Sequence, residues 1–234
     1  MYGLVQKLAA EFIGTFSVVF VAAGAICADR YLQLQNQPSF GLVGIALAYG
    51  LATAIMVVAF AHVSGGHLNP AVTIALWVTR RLGTLQSLFY CVAQLLGSLA
   101  AAYLLAAIIP EQVWRPLGMG TPDLATDFTR LHAMVLEGIL AFLVVLAYFA
   151  TVLDDRGAFA KVAGFAVGLM VMADVLLGAP FVGASAANPA RSFGTALVSR
   201  HWQNQGVFWV GPLFGGVIAG VVYDRLFLGD QPPS

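Results

Sequence analysis

The sequence predicts an all-α integral membrane protein: six transmembrane helices, two re-entrant half-helices and an inverted internal repeat. Three observations carry that prediction. Hydrophobic residues make up 60% of the 234 residues and charged residues only 9%, against about 25% in a soluble domain. The charges that exist are separated by long uncharged runs. An Asn-Pro-Ala triplet occurs twice, 119 residues apart, at Asn69-Pro70-Ala71 and Asn188-Pro189-Ala190.

So little charge cannot solvate a soluble surface. The eleven basic and eleven acidic residues cancel, so no net field gathers nucleic acid or anionic substrates. Disordered chains, disulfide scaffolds and nucleic-acid binders are excluded as classes. The two cysteines, Cys27 and Cys91, lie in apolar runs and read as small core hydrophobes. Neither a zinc spacing nor a redox CxxC is present, so no metal or cofactor is expected. Nor does the chain offer a nucleophile–base pair, so an enzyme is not expected.

The uncharged runs place the spans. Asp, Glu, Lys and Arg are missing from 12–28, 31–79, 82–110, 138–153 and 201–223. A spanning helix needs about 20 apolar residues. Full helices therefore fit at about 8–27, 41–62, 86–109, 132–153, 160–179 and 207–228. Two further segments, 63–79 and 183–199, are mostly apolar but open on Gly/Ser-rich turns. After its Asn-Pro, each has only about ten helix-compatible residues, too few to span. They read as half-helices that enter the membrane and return, with irregular backbone sheltered by protein or by a water-filled cavity.

The order of elements repeats. Phe89-Tyr90 returns as Phe208-Trp209, also 119 residues later, and Glu11 is echoed by Glu137. The chain divides into a first repeat of about 1–110 and a second of about 131–230 within one transmembrane domain spanning 1–234. Three full spans per repeat is an odd number, so the second repeat inserts upside down relative to the first. Lys7, Arg80, Arg81, Arg156, Lys161 and Arg225 fall on the side of the termini, and Arg30, Arg115, Arg130 and Arg200 on the other. That bias favours cytoplasmic termini, and a cell membrane is the expected location.

Inversion points both half-helix N-termini at one midplane spot. Asn is a good N-cap, and Pro is pre-organised for the first helical position. Each N-terminus carries unpaired N–H groups and about half a positive charge. Two such ends repel cations and protons but orient water. The buried carboxylates Glu11 and Glu137 are expected to accept hydrogen bonds from the re-entrant loops, whose backbone N–H groups otherwise lack partners.

Ser64-Gly65-Gly66-His67-Leu68-Asn69-Pro70-Ala71-Val72-Thr73 resembles the first signature of the aquaporin (major intrinsic protein) family, and Asn188-Pro189-Ala190-Arg191-Ser192-Phe193-Gly194 resembles its second. The resemblance runs from Ala10-Glu11-Phe12 to Phe208-Trp209-Val210-Gly211-Pro212. It implies one pore per protomer, in a homotetramer set in the lipid bilayer. It also implies a passive channel for water, with ammonia, urea, hydrogen peroxide or glycerol as further neutral solutes, and with protons and ions excluded. The alternative, a secondary transporter, shares inverted repeats and broken helices but would need a coupling site that no spare carboxylate cluster offers.

The resemblance also assigns a selectivity filter. Arg191 becomes its fixed cation. Tyr49, twenty residues before Asn69, takes the aromatic position. On the fifth span, counting from Pro180 gives Val175 and counting from Asn188 gives Leu176; the fourth member is Ser185 or Ala184. We take Val175 and Ser185, because a loop absorbs an extra residue more easily than a helix does. Water-specific members often carry histidine where Val175 stands, so an aliphatic residue points to a wider filter. Ser192, Ala196 and Phe208-Trp209 resemble the water-channel branch. His67 is expected to line the inner vestibule.

Overall fold

The computed structural model describes residues 2–157, 162–184 and 187–229. Six helices are long and apolar enough to cross a membrane: α1 (Leu4–Leu34), α2 (Gly41–Ser64), α4 (Thr84–Ile108), α6 (Arg130–Tyr148, extended to Leu153 by a wider π turn), α7 (Ala163–Val182) and α9 (Val207–Tyr223, extended likewise to Leu228). Between them lie the two half-helices, α3 (Pro70–Val78) and α8 (Pro189–Ser199), and a single short turn of helix, α5 (Glu111–Trp114).

α1 runs well past the predicted end near residue 27, because the first charged residue there, Asp29, does not meet water. Asp29 is buried, and its carboxylate accepts bonds from Gln33 Nε2 (2.8 Å) and from Gly41 N (2.7 Å). A side chain of α1 thus serves the unpaired N–H that opens α2. The fifth span also differs from expectation: it begins at Ala163 and continues through Pro180 to Val182.

Packing pairs the helices in matching fashion. α1 packs on α2 and α4, α6 packs on α7 and α9, and α2 meets α7 across the middle. Each half-helix lies against the last span of the other repeat, α3 on α9 and α8 on α4. Glycines make the closest seams: a Cβ on Gly97 would strike the Phe12 carbonyl, and one on Gly50 would sit 2.7 Å from the Gly168 carbonyl. Small residues at such seams are how membrane helices gain contact when lipid is as apolar as they are. Large apolar side chains such as Leu88, Leu131, Leu169 and Phe214 stay exposed on the outside, as a lipid-facing surface requires.

At the end that carries the termini, Arg81 Nε bonds Asp224 Oδ1 (2.9 Å). Nearby, Asp154 accepts from Arg156 (2.6 Å) and from the Tyr223 hydroxyl (3.0 Å). The Arg156 guanidinium holds the Asp154 carboxyl well below the usual carboxylate range, against the opposing effect of burial.

Candidate channel site

Each half-helix starts at its asparagine. Asn69 and Asn188 have extended backbones, and their side-chain oxygens accept from the first free N–H groups of α3 and α8: Ala71 N (2.8 Å), and Ala190 N (3.0 Å) with Arg191 N (3.4 Å). Pro70 and Pro189 fill the first helical positions, where a missing N–H costs nothing. The amide nitrogens reach across the repeat boundary. Asn69 Nδ2 donates to Ala187 O (2.9 Å), and Asn188 Nδ2 donates to Leu68 O (3.0 Å). The two N-termini therefore meet head to head. Each amide nitrogen has a second proton, and both asparagines line a narrow inner cavity together with Tyr49, Thr53, His67 and Val72.

The loops that deliver these asparagines hang on buried carboxylates. Glu11 is fully buried. Its Oε1 accepts from Ser64 Oγ (2.6 Å) and His67 N (3.0 Å); its Oε2 accepts from Leu68 N (2.8 Å) and Gln94 Nε2 (2.7 Å). Glu137 Oε2 accepts from Ala187 N (2.8 Å). A carboxylate with several donors is satisfied without a cation. His67 lines the cavity with its ring held 3.1 Å from Thr73 Oγ1 and edge-on to Tyr90 and Tyr148.

Arg191 is wholly buried on the first turn of α8. Its Nη1 donates to Gly120 O (2.6 Å), while Nε and Nη2 have no partner among the described residues. Gly120 lines a second, outer cavity with Val175, Ala179, Ala184 and Thr121. Arg191 thus joins the two spaces: the cap of its helix lines the inner one, and the acceptor of its guanidinium lines the outer one. Tyr49 lies on the inner side and Val175 on the outer. Val175 lines that cavity and Leu176, the other residue left open by counting, does not; both belong to or pack on the same hydrophobic core. Ser185 lies outside the described residues.

Sequence reasoning did not single out three contributors. Gln94 bonds both Glu11 and Thr73 Oγ1 (2.9 Å). Ser98 donates to Ala190 O and accepts from Gly194 N (3.1 Å), so α4 grips the first turns of α8. Both stand four residues apart in an uncharged span, and that polar i, i+4 pair was the available signal. The third, the Gly120 carbonyl, is backbone and leaves no residue signature. Asp174 is buried beside Val175, and its Oδ2 has no partner among the described residues.

Comparison with known proteins accords with this geometry. The sequence matches the model of the major intrinsic protein family over residues 2–223. It is 44% identical to aquaporin TIP4-4 of Zea mays, covering 98% of this chain and 91% of that one. It is 36% identical to aquaporin-4 of Mus musculus, covering 96% of this chain and 68% of that one. The fold superimposes on the crystal structure of the aquaglyceroporin from Plasmodium falciparum with a TM-score of 0.82 and 23% identity, covering 96% and 97% of the two chains. The meeting half-helices, the buried arginine and the match over nearly the full length lead to one conclusion: this chain belongs to the major intrinsic protein family.

Proposed function

We propose that the path through the outer cavity, past Arg191 and into the asparagine-lined inner cavity is the pore of a passive channel that conducts water. The carrying observation is the head-to-head meeting of α3 and α8, with Asn69 and Asn188 each capping its own helix and bonding the other's loop. A water molecule there finds amide donors and two positive helix ends, so its oxygen is drawn toward the asparagines. A proton or cation meets the same two positive ends and the Arg191 guanidinium, and is repelled. The channel is not an enzyme.

On this reading Tyr49, Val175, Ser185 and Arg191 form the selectivity filter. Asn69-Pro70-Ala71 and Asn188-Pro189-Ala190 form the central pore, His67 lines the inner vestibule, and Glu11 and Glu137 hold the loops. Val175 is short and aliphatic, which supports a filter wide enough for ammonia, urea, hydrogen peroxide or glycerol beside water. We further read the chain as one domain of two inverted repeats that assembles as a homotetramer, in a cell membrane with both termini cytoplasmic. The similarity to aquaporin-named relatives supports the water assignment.

Stopped-flow light scattering on proteoliposomes tests the function. A sucrose shock should collapse the vesicles far faster than empty liposomes. Urea or glycerol gradients should then produce re-entry if the filter is wide, and none if it passes water alone. Water flux at the empty-liposome rate would refute the channel.

A further inference from the structure

We propose that His201 and Asp123 are positioning residues for Arg191: they latch the segment 118–125 over the outer mouth, and the charge on His201 sets how firmly that segment holds the guanidinium. The proposal rests on the pore reading above and concerns its regulation. The latch starts from the arginine's dependence on one acceptor. Among the described residues only Gly120 O receives a bond from its side chain. That carbonyl belongs to three successive residues with positive φ, Gly118 (52°), Met119 (56°) and Gly120 (66°). The left-handed region is costly for a residue with a Cβ, so Met119 stays there only because its surroundings hold it.

The holding contacts can be named. Met119 is buried. Thr121 Oγ1 donates to Gly118 O (2.5 Å) and lies 3.3 Å from Ser199 Oγ. Ala125 N donates to Phe181 O (2.9 Å). Asp123 Oδ2 meets His201 Nε2 at 2.6 Å, and its Oδ1 accepts from Asn204 Nδ2 (2.7 Å). His201 also packs against Gly118, where a built Cβ would lie 3.5 Å from the histidine Cβ. One side chain therefore touches both ends of the turn that presents the Gly120 carbonyl. Burial alone would raise the Asp123 carboxyl, but bonds from Asn204, Leu124 and His201 leave it below its ordinary range, so it is the anionic half of the pair.

Of these contacts, only Asp123–His201 changes strength near neutral pH. The others are packing, bonds between neutral groups, or bonds from neutral donors to the ionised Asp123 carboxylate, whereas histidine is the side chain whose charge changes between about pH 5 and 8. Other charged groups near the mouth make none of these contacts, while the His132 ring packs against Phe128 just beyond the segment. Arg130 bonds Asn204 Oδ1 (2.8 Å), Arg115 pairs with Glu111, and Arg200, Asp127 and His132 are exposed. His201 is itself partly exposed, so the bathing solution reaches it. Protonated, it holds Asp123 by a charge-assisted bond. Neutral, it leaves a weaker bond in which only the acceptor is charged; the turn loosens, Arg191 loses its acceptor for part of the time, and larger neutral solutes gain on water.

The test measures urea and glycerol permeability relative to water in proteoliposomes of the full chain, with equal pH on both sides, from about 5.5 to 8.5. The expected ratio rises about two- to five-fold toward alkaline pH, the range a partly exposed ion pair supports. His201→Gln, which keeps a donor but cannot titrate, should give a flat profile at the higher ratio. Asp123→Asn should do the same, and serves where the first variant folds poorly. Water permeability in the same vesicles reports folding. A flat wild-type ratio, entry of neither solute at any pH, or a wild-type slope in either variant overturns the latch. The last outcome would assign the slope to His62, His67 or His132. Failure of the pore reading looks different: water flux at the empty-liposome rate at every pH.

Discussion

Gly215 on α9 lies directly against the carbonyl of Gly138 on α6, with no room for a Cβ between them. The contact sits on the seam that holds the second repeat's first and last spans together. Gly215→Ala should force the helices apart and lower stability by about 1–3 kcal/mol or more. Gly138→Ala, whose Cβ would sit 3.3 Å from the Gly211 carbonyl, should be milder. Thermal melts followed by detergent size-exclusion would rank the two.

Glu11 should be intolerant even of its amide. Its two oxygens accept four bonds, and Glu11→Gln replaces one acceptor with a donor aimed at donors. Stranding a buried N–H costs about 1–3 kcal/mol, and bonds to a charged acceptor are worth more than neutral ones. The expected result is a less stable protein with reduced water flux. Unchanged melting would mean the loop does not depend on this carboxylate.

The filter reading makes opposed predictions at two positions. Arg191→Val removes the fixed cation and should raise the urea-to-water permeability ratio about tenfold, equivalent to roughly 1.4 kcal/mol of barrier. Val175→His should narrow the outer cavity and lower the same ratio. If Val175→His leaves all ratios unchanged, Val175 does not face the permeating solute.

Asp174 should be dispensable. One of its oxygens is buried without a partner among the described residues, and a group in that state loses solvation without recompense. Asp174→Asn should therefore raise the melting temperature while water permeability stays the same. A fall in both would show that the carboxylate serves the pore.

Acid should weaken the terminus-bearing end through Asp154. Its folded carboxyl lies below the ordinary range, so the native state favours the ionised form. The resulting stability is complete above about pH 5 and is lost progressively as pH falls below about 4 and toward the folded value. Melting temperatures of wild type and Asp154→Asn should converge toward low pH, with the wild type the more stable at neutral pH.

Much of the architecture could be read from charge spacing, because a membrane punishes charge inside a span far more than propensity ever could. Hence all six spans and both half-helices fell close to their places. The ends were harder. Asp29 and Arg30 look like a span terminus, yet Asp29 is buried as the cap of the next helix, a tertiary service that local sequence does not announce. Counting narrowed the filter to adjacent pairs, because one loop residue shifts the register, and the sequence does not say which of Val175 and Leu176 lines the outer cavity. The turn at 118–120 was not legible. Its contribution is a carbonyl, and its partner Arg191 lies 71 residues away.

The exchange of amides between the asparagines bears on how the protein is made. Asn69 finds its acceptor 118 residues downstream, and Asn188 reaches 120 residues back. As the chain leaves the ribosome, the first re-entrant loop enters the bilayer with that bond unmade, and it stays unmade until the second loop arrives. Neither repeat alone closes its own polar ends, so separately synthesised halves would each carry an open wound into lipid. Keeping both in one polypeptide shortens that vulnerable interval to the time of a single translation.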